Sequence, residues 1–206
     1  MVLAPHGAPS LAWQHAGARE GFEVATVQPL GGSGTEATVV RGTVAAVEAG
    51  RAYVLSYLIA LDGRARTRRA ELRLATPTAA LRRSVEADGH GHWLVDGAPA
   101  AQLDGLLDLD LETSLLTNAF PVARLALGVG ESAVAPAAWL RTDGLRLEPL
   151  EQHYERLPGG SGAGAGCGER YAYRSPAHGF SCELPFAVDG FVVDYPGLGR
   201  RVATAS

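Results

Sequence analysis

The sequence predicts a mostly β protein, a single domain formed by a strongly curved antiparallel sheet or half-open β-barrel with a few short helices. Three observations indicate this class. Aspartate-glycine pairs, which favour tight hairpin turns, occur six times. Several of these pairs separate runs in which apolar and polar residues alternate, the period of a half-buried strand. Long amphipathic helical patterns are scarce. We place the domain at residues 11–202 and expect residues 1–10 to be disordered or loosely attached.

The predicted strands follow one another along most of the chain. In residues 66–74, three apolar side chains alternate with three charged ones after the Asp62-Gly63 pair, as in a strand with one buried face. Similar patterns predict strands at 38–47, 53–61, 92–95, 145–147, 170–174, 180–187 and 191–195. Residues 78–85 and 122–127 are the two helix candidates. With 206 residues and 47% hydrophobic content, the chain can bury a sizeable core in one domain.

Composition excludes several classes of function. The net charge of −4 gives no overall attraction to nucleic acid or to an anionic membrane. No apolar stretch is long enough for a transmembrane helix, and the first residues lack the features of a signal peptide, so we expect a soluble cytoplasmic protein. All 18 basic residues are arginine, which rules out a Schiff-base lysine, a pyridoxal phosphate anchor and a phosphate-loop lysine. We expect no cofactor.

Three short motifs favour structural roles. The glycine-rich segment 158–168 lacks the spacing of a nucleotide-binding loop, and neither it nor residues 31–34 has the spacing of a serine hydrolase motif. We interpret 158–168 as a solvated hairpin loop. His90 and His92 flank a turn glycine without a third ligand at suitable spacing, so a turn is favoured over a metal site. Cys167 and Cys182 are too few for a disulfide scaffold.

Residues 103–125 carry the most informative polar groups of the chain. Asp108 and Asp110 alternate in an apolar, strand-like run, which is followed by Thr117-Asn118 and by Arg124. Such groups are costly to bury unless they are paired or hydrogen-bonded, so they indicate a polar cluster inside an apolar cavity or at its mouth. The two aspartates could couple as a glycosidase-like acid/base pair. Alternatively they accept backbone hydrogen bonds or pair with arginines, and we favour this structural or ligand-binding role.

Arginines are dense in residues 64–83. On a strand, Arg64, Arg66 and Arg68 would share one face and could bind phosphate or carboxylate groups. The alternative is a solvated face balanced by nearby acids. Interleaved aromatic residues are missing, so we expect no nucleic-acid partner.

The order and spacing of these motifs resemble the bacterial putative glycolipid-binding family, formerly a domain of unknown function. Its central D-x-D and TN-x-x-P-x-x-RL motifs correspond here to residues 108–110 and 117–125. The flanking matches are Gly21-Phe22-Glu23, Tyr53, Arg66-Thr67-Arg68, Gly91-His92-Trp93, Gln152-His153-Tyr154, Tyr171-Ala172-Tyr173 and residues 188–198. The chain departs from the family pattern at Gln14, at Leu115-Leu116, at Ala123 and before Arg66. These departures bear more on which ligand the resemblance implies than on the fold that it implies.

The resemblance implies a half-open barrel around a cavity, similar in outline to lipoprotein-carrier and lipocalin-like folds. It implies a non-catalytic protein that binds an amphiphilic, glycolipid- or lipid-like ligand and is not an integral membrane protein. The arginines would bind a polar or anionic head, carboxylates and amides would form hydrogen bonds, and tyrosines would form the wall. The candidate ligand-binding residues are Arg66, Arg68, Asp108, Asp110, Asn118, Arg124, Gln152, Tyr154, Tyr171 and Tyr195. Two alternatives stay open: an enzyme acting on a small lipophilic or glycosyl substrate through Asp108 and Asp110, and an interaction module with a filled interior.

Overall fold

The computed structural model describes Leu3 and residues 8–30, 35–159 and 167–205, which form three β-sheets and one α-helix. The largest sheet has ten strands, all antiparallel, and its two edge strands do not pair with each other, so the sheet is not closed. Its strands, in spatial order, are β16 (Asp194–Tyr195), β17 (Gly199–Ala205), β1 (Ser10–His15), β2 (Arg19–Pro29), β3 (Thr38–Glu48), β4 (Arg51–Leu61), β5 (Thr67–Ala75), β6 (Ala80–Ala87), β7 (Trp93–Val95) and β8 (Ala98–Pro99). This confirms the predicted fold class.

Two smaller sheets complete the structure. One contains β10 (Ser132–Val134), β13 (His153–Leu157), β14 (Cys167–Ser175) and β15 (Phe180–Ala187), and the other contains β12 (Arg146–Leu150), β11 (Ala137–Arg141) and β9 (Asp108–Leu111). Strands β9 and β11 are parallel, the exception to an otherwise antiparallel arrangement in the described residues. Helix α1 (Ala119–Leu125) follows β9, and short 3-10 turns occur at Ala101–Leu103 and Pro176–His178.

The long strands of the large sheet have one buried face and one exposed face. In β5, Ala70, Leu72 and Leu74 are buried, whereas the residues between them point outward. The buried face packs against the smaller sheets and α1 around fully buried aromatic side chains, including Trp13 and Phe120. Burying apolar surface stabilises the fold by about 25 cal/mol per Å². The alternation of apolar and polar residues in the sequence therefore corresponds to the buried and exposed faces of these strands.

The aspartate-glycine pairs form turns of several kinds. Asp96 and Gly97 both have positive φ (50° and 77°) and connect β7 to β8, as a type I′ hairpin requires. The long β3–β4 hairpin instead turns at Ala49 and Gly50, with φ of 48° and 75°, at a site where no aspartate signals it. At Asp62-Gly63 neither φ is positive, and the Asp62 carboxylate accepts hydrogen bonds from two backbone N–H groups of the connection.

One helix prediction is correct and the other is wrong. Residues 122–127 overlap α1, which ends at Ala126 in the left-handed conformation (φ 47°). The predicted helix at 78–85 is wrong, because most of this segment forms β6 between β5 and β7. Of the β6 residues only Val85 is buried, so no apolar helical stripe exists there, and backbone pairing with β5 determines the conformation.

The predicted row of Arg64, Arg66 and Arg68 on one strand is also wrong. Strand β5 begins at Thr67, so Arg64 and Arg66 lie in the connection that follows β4. The Arg66 guanidinium binds the Asp62 carboxylate at 2.7 Å and donates a hydrogen bond to the Gly89 carbonyl at 2.7 Å. The Asp62 carboxylate of this turn thus fixes the position of the Arg66 side chain.

Two sequence expectations lie largely outside the described residues. The expected loose attachment of residues 1–10 concerns mainly residues 1, 2 and 4–7, and the expected glycine-rich loop includes residues 160–166. Within the described part of the chain, no helix combines the length and apolar character needed to span a bilayer.

Candidate functional site

The first feature of the site is a buried ion pair between β9 and α1. Asp108 is fully buried, and its carboxylate accepts hydrogen bonds from Arg124 Nη2 at 2.6 Å and from Arg124 Nε at 3.1 and 3.2 Å. The Arg124 side chain retains 17% of its exposure. Burial raises the pKa of Asp108, and the bonds from Arg124 oppose this rise. Because the arginine occupies both oxygens of the carboxylate, the pair attaches α1 to β9.

Asp110, two residues further along β9, has neutral partners instead. Its Oδ1 accepts a hydrogen bond from the Thr117 hydroxyl at 2.6 Å, and its Oδ2 accepts one from Gln152 Nε2 at 2.7 Å. Burial raises the pKa of Asp110 to about 6, a rise that the nearby Asp108 charge increases and the bonds from Thr117 and Gln152 limit. A buried carboxyl that titrates near neutrality and has no cationic partner is typical of binding and catalytic sites.

A chain of hydrogen bonds extends from Asp110 into the structure. Gln152 also donates to the Tyr173 hydroxyl at 3.1 Å and accepts from the Tyr154 hydroxyl at 3.2 Å. Asn118 Nδ2 donates to the Tyr154 hydroxyl at 2.7 Å. Four predicted residues therefore form one network: Asp110, Asn118, Gln152 and Tyr154. Such a network fixes the orientation of each member.

Asp110 and Asn118 line an open pocket of about 350 Å³ between the three sheets. This volume is at the lower end of the range of about 300–1,000 Å³ found for small-molecule sites. Its other polar lining groups include Ser114 and Ser175. Its apolar and aromatic lining residues are Leu111, Trp139, Leu150, Tyr173, Phe180, Tyr195 and Leu198. The pocket thus combines a few polar groups with a largely apolar wall.

Both arginines of the pocket are already paired with acids. Arg19 bonds Glu48 at 3.2 and 3.3 Å and the Glu112 carbonyl at 2.8 Å. Arg141 bonds Glu112 at 3.0 Å and Glu148 at 3.1 Å, and its guanidinium carbon lies 4.4 Å from the ring centroid of Trp139. Neither guanidinium group of the pocket therefore remains free, and Asp110 adds a negative charge above its pKa.

A second buried polar cluster lies beneath the pocket. Glu23 on β2 is fully buried and accepts hydrogen bonds from the Tyr57 hydroxyl (2.6 Å), the Ser114 hydroxyl (2.5 Å) and the Leu115 N–H (2.7 Å). Burial raises its pKa, and these bonds oppose the rise. Glu23 thereby holds the segment between β9 and α1 against the large sheet.

Three candidate residues lie away from the pocket. Arg66 binds Asp62, and Arg68 lines a separate surface groove near Asp88 and His92. Tyr171 is buried, with its ring 5.5 Å from that of Phe186 and its hydroxyl bonded to Glu169 at 2.8 Å. The structure brings together Asp110, Asn118, Gln152, Tyr154 and Tyr195, with the Asp108–Arg124 pair behind them.

Most residues of the pocket wall carry no signal in the sequence. Trp139 lies on β11 and His178 in a 3-10 turn, and their ring centroids are 4.8 Å apart. Trp139 and Arg141 alternate on one strand, a pattern that could have indicated a shared face. Nothing in the local sequence places His178 or Phe180 beside them, because Phe180 belongs to a different sheet and His178 to the turn that precedes it.

The fold and the pocket define a class of β-rich protein, in which a large open antiparallel sheet borders a cavity that combines polar groups with an aromatic wall. Residues 10–201 match the family described as "Putative glycolipid-binding". The chain belongs to that family.

Two solved structures are similar to the chain in fold. A DUF1089 family protein from Pseudomonas aeruginosa is 26% identical, with a TM-score of 0.72 over 92% of this chain and 95% of that one. A β-barrel-like protein of the domain of unknown function DUF1849 from Brucella abortus is 10% identical, with a TM-score of 0.51 over 98% of both chains, and shows likeness of fold alone. No curated protein matches the chain.

Proposed function

We propose that the protein binds an amphiphile with an uncharged, hydroxyl-bearing head, without catalysis, in the pocket that contains Asp110. The observation that carries the proposal is the charge of the pocket: Asp110 has no cationic partner, whereas Arg19 and Arg141 are both paired with acids. A carboxylate accepts hydrogen bonds from hydroxyl groups and repels an anion. The family description supports a sugar head and leaves the ligand itself open.

The aromatic wall supports the apolar half of the ligand. Trp139, Phe180 and Tyr195 line the pocket with Leu198, and an alkyl chain buried against them contributes about 25 cal/mol per Å². Polar groups orient such a ligand, while apolar contacts supply most of its affinity. We therefore expect the head to lie near Asp110 and Asn118 and the tail to lie along the aromatic side chains.

The binding test uses two probes whose alkyl tails differ by one methylene, which is worth about 0.8 kcal/mol or about fourfold in affinity. Octyl glucoside below its micelle concentration and octanoate are titrated at pH 7.5 while tryptophan fluorescence is recorded. Trp13 and Trp93 are buried in the core, whereas Trp139 lines the pocket, so Trp139→Phe identifies the signal that reports on the pocket. We expect saturable binding of the glucoside, at least about tenfold tighter than that of octanoate.

Asp110→Asn and the exposed Asp104→Asn are the matched variants. Octanoate should gain affinity relative to the glucoside in Asp110→Asn and should not do so in Asp104→Asn. Equal affinity for both probes in the wild type, or no saturable binding of either, contradicts the proposal. Mass spectrometry of an organic extract of the purified protein, compared with a mock purification, then identifies the class of the natural ligand.

The enzyme alternative depends on Asp108 and Asp110 acting as a pair. Glycosidase chemistry needs two carboxyl groups that both face the substrate. Asp108 is fully buried and paired with Arg124, and the pocket is lined by Asp110 alone of the two. This arrangement favours binding. Release of glucose from octyl glucoside, with a bell-shaped pH profile that Asp108→Asn abolishes, would favour the enzyme instead.

A further inference from the structure

The outer face of the large sheet, opposite the core, carries two adjacent rows of side chains across β2–β6. The first row is Phe22, Ala45, Val54, Ala75 and Ala80, which are cross-strand partners in succession. The second row is Val24, Thr43, Ser56, Arg73 and Arg82, related in the same way. We call these ten residues the outer strip.

The apolar part of the outer strip is open to solvent. Phe22 retains 53% of its exposure, Val24 52% and Val54 41%. A solvated sheet face normally carries polar side chains in alternation with buried apolar ones. Here one complete row is apolar, and no described residue covers it. Clustered exposed apolar side chains of this kind mark interaction surfaces.

The charged end of the outer strip is unusual in a different way. Arg73 and Arg82 are direct cross-strand partners, an arrangement of like charges that destabilises a strand pair. All 22 acidic side chains lie in the described part of the chain, and neither arginine forms an ion pair with any of them. Glu71, two residues from Arg73 on β5, is paired with Arg69 at 3.2 Å. Two adjacent guanidinium groups are therefore available to an external anion.

We propose that the outer strip docks on an anionic lipid bilayer. Guanidinium groups bind phosphate in bidentate fashion, so Arg73 and Arg82 match lipid headgroups. Phe22, Val24 and Val54 would enter the boundary between headgroups and acyl chains, where burial of apolar surface adds to electrostatic attraction. The net charge of −4 does not prevent this contact, because charges more than about 10 Å away are screened at moderate salt.

The composition of the strip disfavours a second copy of the chain as the occupant. A twofold-symmetric contact brings the same surface of both copies together. The outer strip contains no acidic residue, so its arginines would find no carboxylate within the strip of the other copy; the nearest acidic residue beside Phe22 on this face is Glu20, at the β2 end. The bilayer proposal rests on the outer face alone, so vesicle docking and binding in the Asp110 pocket can fail independently.

The test is flotation of the full chain with two kinds of vesicle at about 0.1 M salt, where charges outside the outer strip are screened. One kind is phosphatidylcholine alone, and the other contains about one third phosphatidylglycerol, to which each surface arginine adds attraction. We expect binding to the anionic vesicles only, with a partition coefficient that falls about tenfold or more in the double variant Arg73→Gln/Arg82→Gln. The variant Phe22→Ser/Val24→Ser should bind more weakly at every salt concentration, because it removes apolar contact.

Arg64→Gln/Arg174→Gln is the matched control, since both arginines are exposed, form no ion pair and lie outside the strip. This control should float like the wild type. Equal loss of binding in the control and in Arg73→Gln/Arg82→Gln would overturn the proposal, as would the absence of binding to anionic vesicles. A wild-type dimer in sedimentation velocity that Phe22→Ser/Val24→Ser dissociates, with unchanged flotation, would assign the strip to a second copy and overturn it too.

Discussion

Gly42 on β3 and Tyr57 on β4 are direct cross-strand partners, and the Tyr57 ring occupies the space where a side chain at Gly42 would stand. A Cβ atom on Gly42 would lie 2.2 Å from Cζ and Oη of the tyrosine. This close approach allows the Tyr57 hydroxyl to bond Glu23 at 2.6 Å. A glycine on the large sheet thus positions the buried carboxylate that holds the segment between β9 and α1.

Gly42→Ala is expected to destabilise the protein by about 3 kcal/mol, because it overpacks the strand pair and displaces a hydrogen bond to a carboxylate. Urea unfolding measures the change. Gly63→Ala is the control, since Gly63 has no positive φ and an added Cβ would meet nothing within 4 Å. Similar losses in the two variants would show that the Tyr57 contact is not the cause. In a Tyr57→Phe background the cost of Gly42→Ala should shrink.

Arg124→Ala is expected to lower the free energy of unfolding by about 3–5 kcal/mol, because it leaves the Asp108 charge buried without a partner. Thermal and urea unfolding provide the measurement. Arg170→Ala, which breaks the ion pair with the half-exposed Glu183, should cost far less, because solvent screens an exposed pair. Adding Asp108→Asn should recover much of the loss. A cost as small as that of Arg170→Ala would instead favour a role for Arg124 in ligand binding.

Asp110→Asn should flatten part of the pH dependence of stability. The pKa of Asp110 is raised from 3.8 to about 6, so between these values the folded state holds a proton that the unfolded state has lost. The contribution of Asp110 to the free energy of unfolding is therefore fully present below about pH 4 and is lost as the pH rises through about 6. This loss lowers the free energy of unfolding by about 3 kcal/mol. Relative to the wild type, Asp110→Asn should be more stable at pH 7 than at pH 4 by this amount.

Unfolding of both proteins at the two pH values tests this expectation. Asp108 and Glu23, whose pKa values are also raised, are present in both proteins, so their contributions largely cancel. A difference between the proteins that stays constant with pH would mean that Asp110 titrates normally.

Thr117→Val should raise the pKa of Asp110 further. The variant removes the hydroxyl that donates to the ionised carboxylate at 2.6 Å, and it costs about 1–3 kcal/mol of stability. Carbon-detected NMR titration of the Asp110 carboxyl gives the midpoint directly. Thr113→Val is the matched control, because Thr113 is equally buried and its hydroxyl has no partner among the described residues. If both variants moved the midpoint equally, the hydrogen bond from Thr117 would not be responsible.

Local patterns in the sequence predicted much of the sheet and part of the site. Alternation in β5 and the spacing of Asp108 and Asp110 survive in the structure because both arise from the two-residue period of a strand. The helix predicted at 78–85 does not form, because pairing with β5, a nonlocal contact, overrides a weak local preference for helix. Arg66 and His178 show the same limit in the site: their positions depend on which turn or sheet lies beside them, and no neighbouring residue in the sequence specifies that.

The pairing of β1 with β17 has a consequence for synthesis on the ribosome. Residues 10–15 are translated well before residues 199–205, which form one of their two strand partners. Until that partner emerges, β1 has an unpaired edge, and unpaired edges favour association with other chains. Loop closure over such a separation is slow relative to hairpin formation. We therefore expect nascent chains that stall before residue 199 to be more exposed to aggregation and to capture by chaperones than the folded protein.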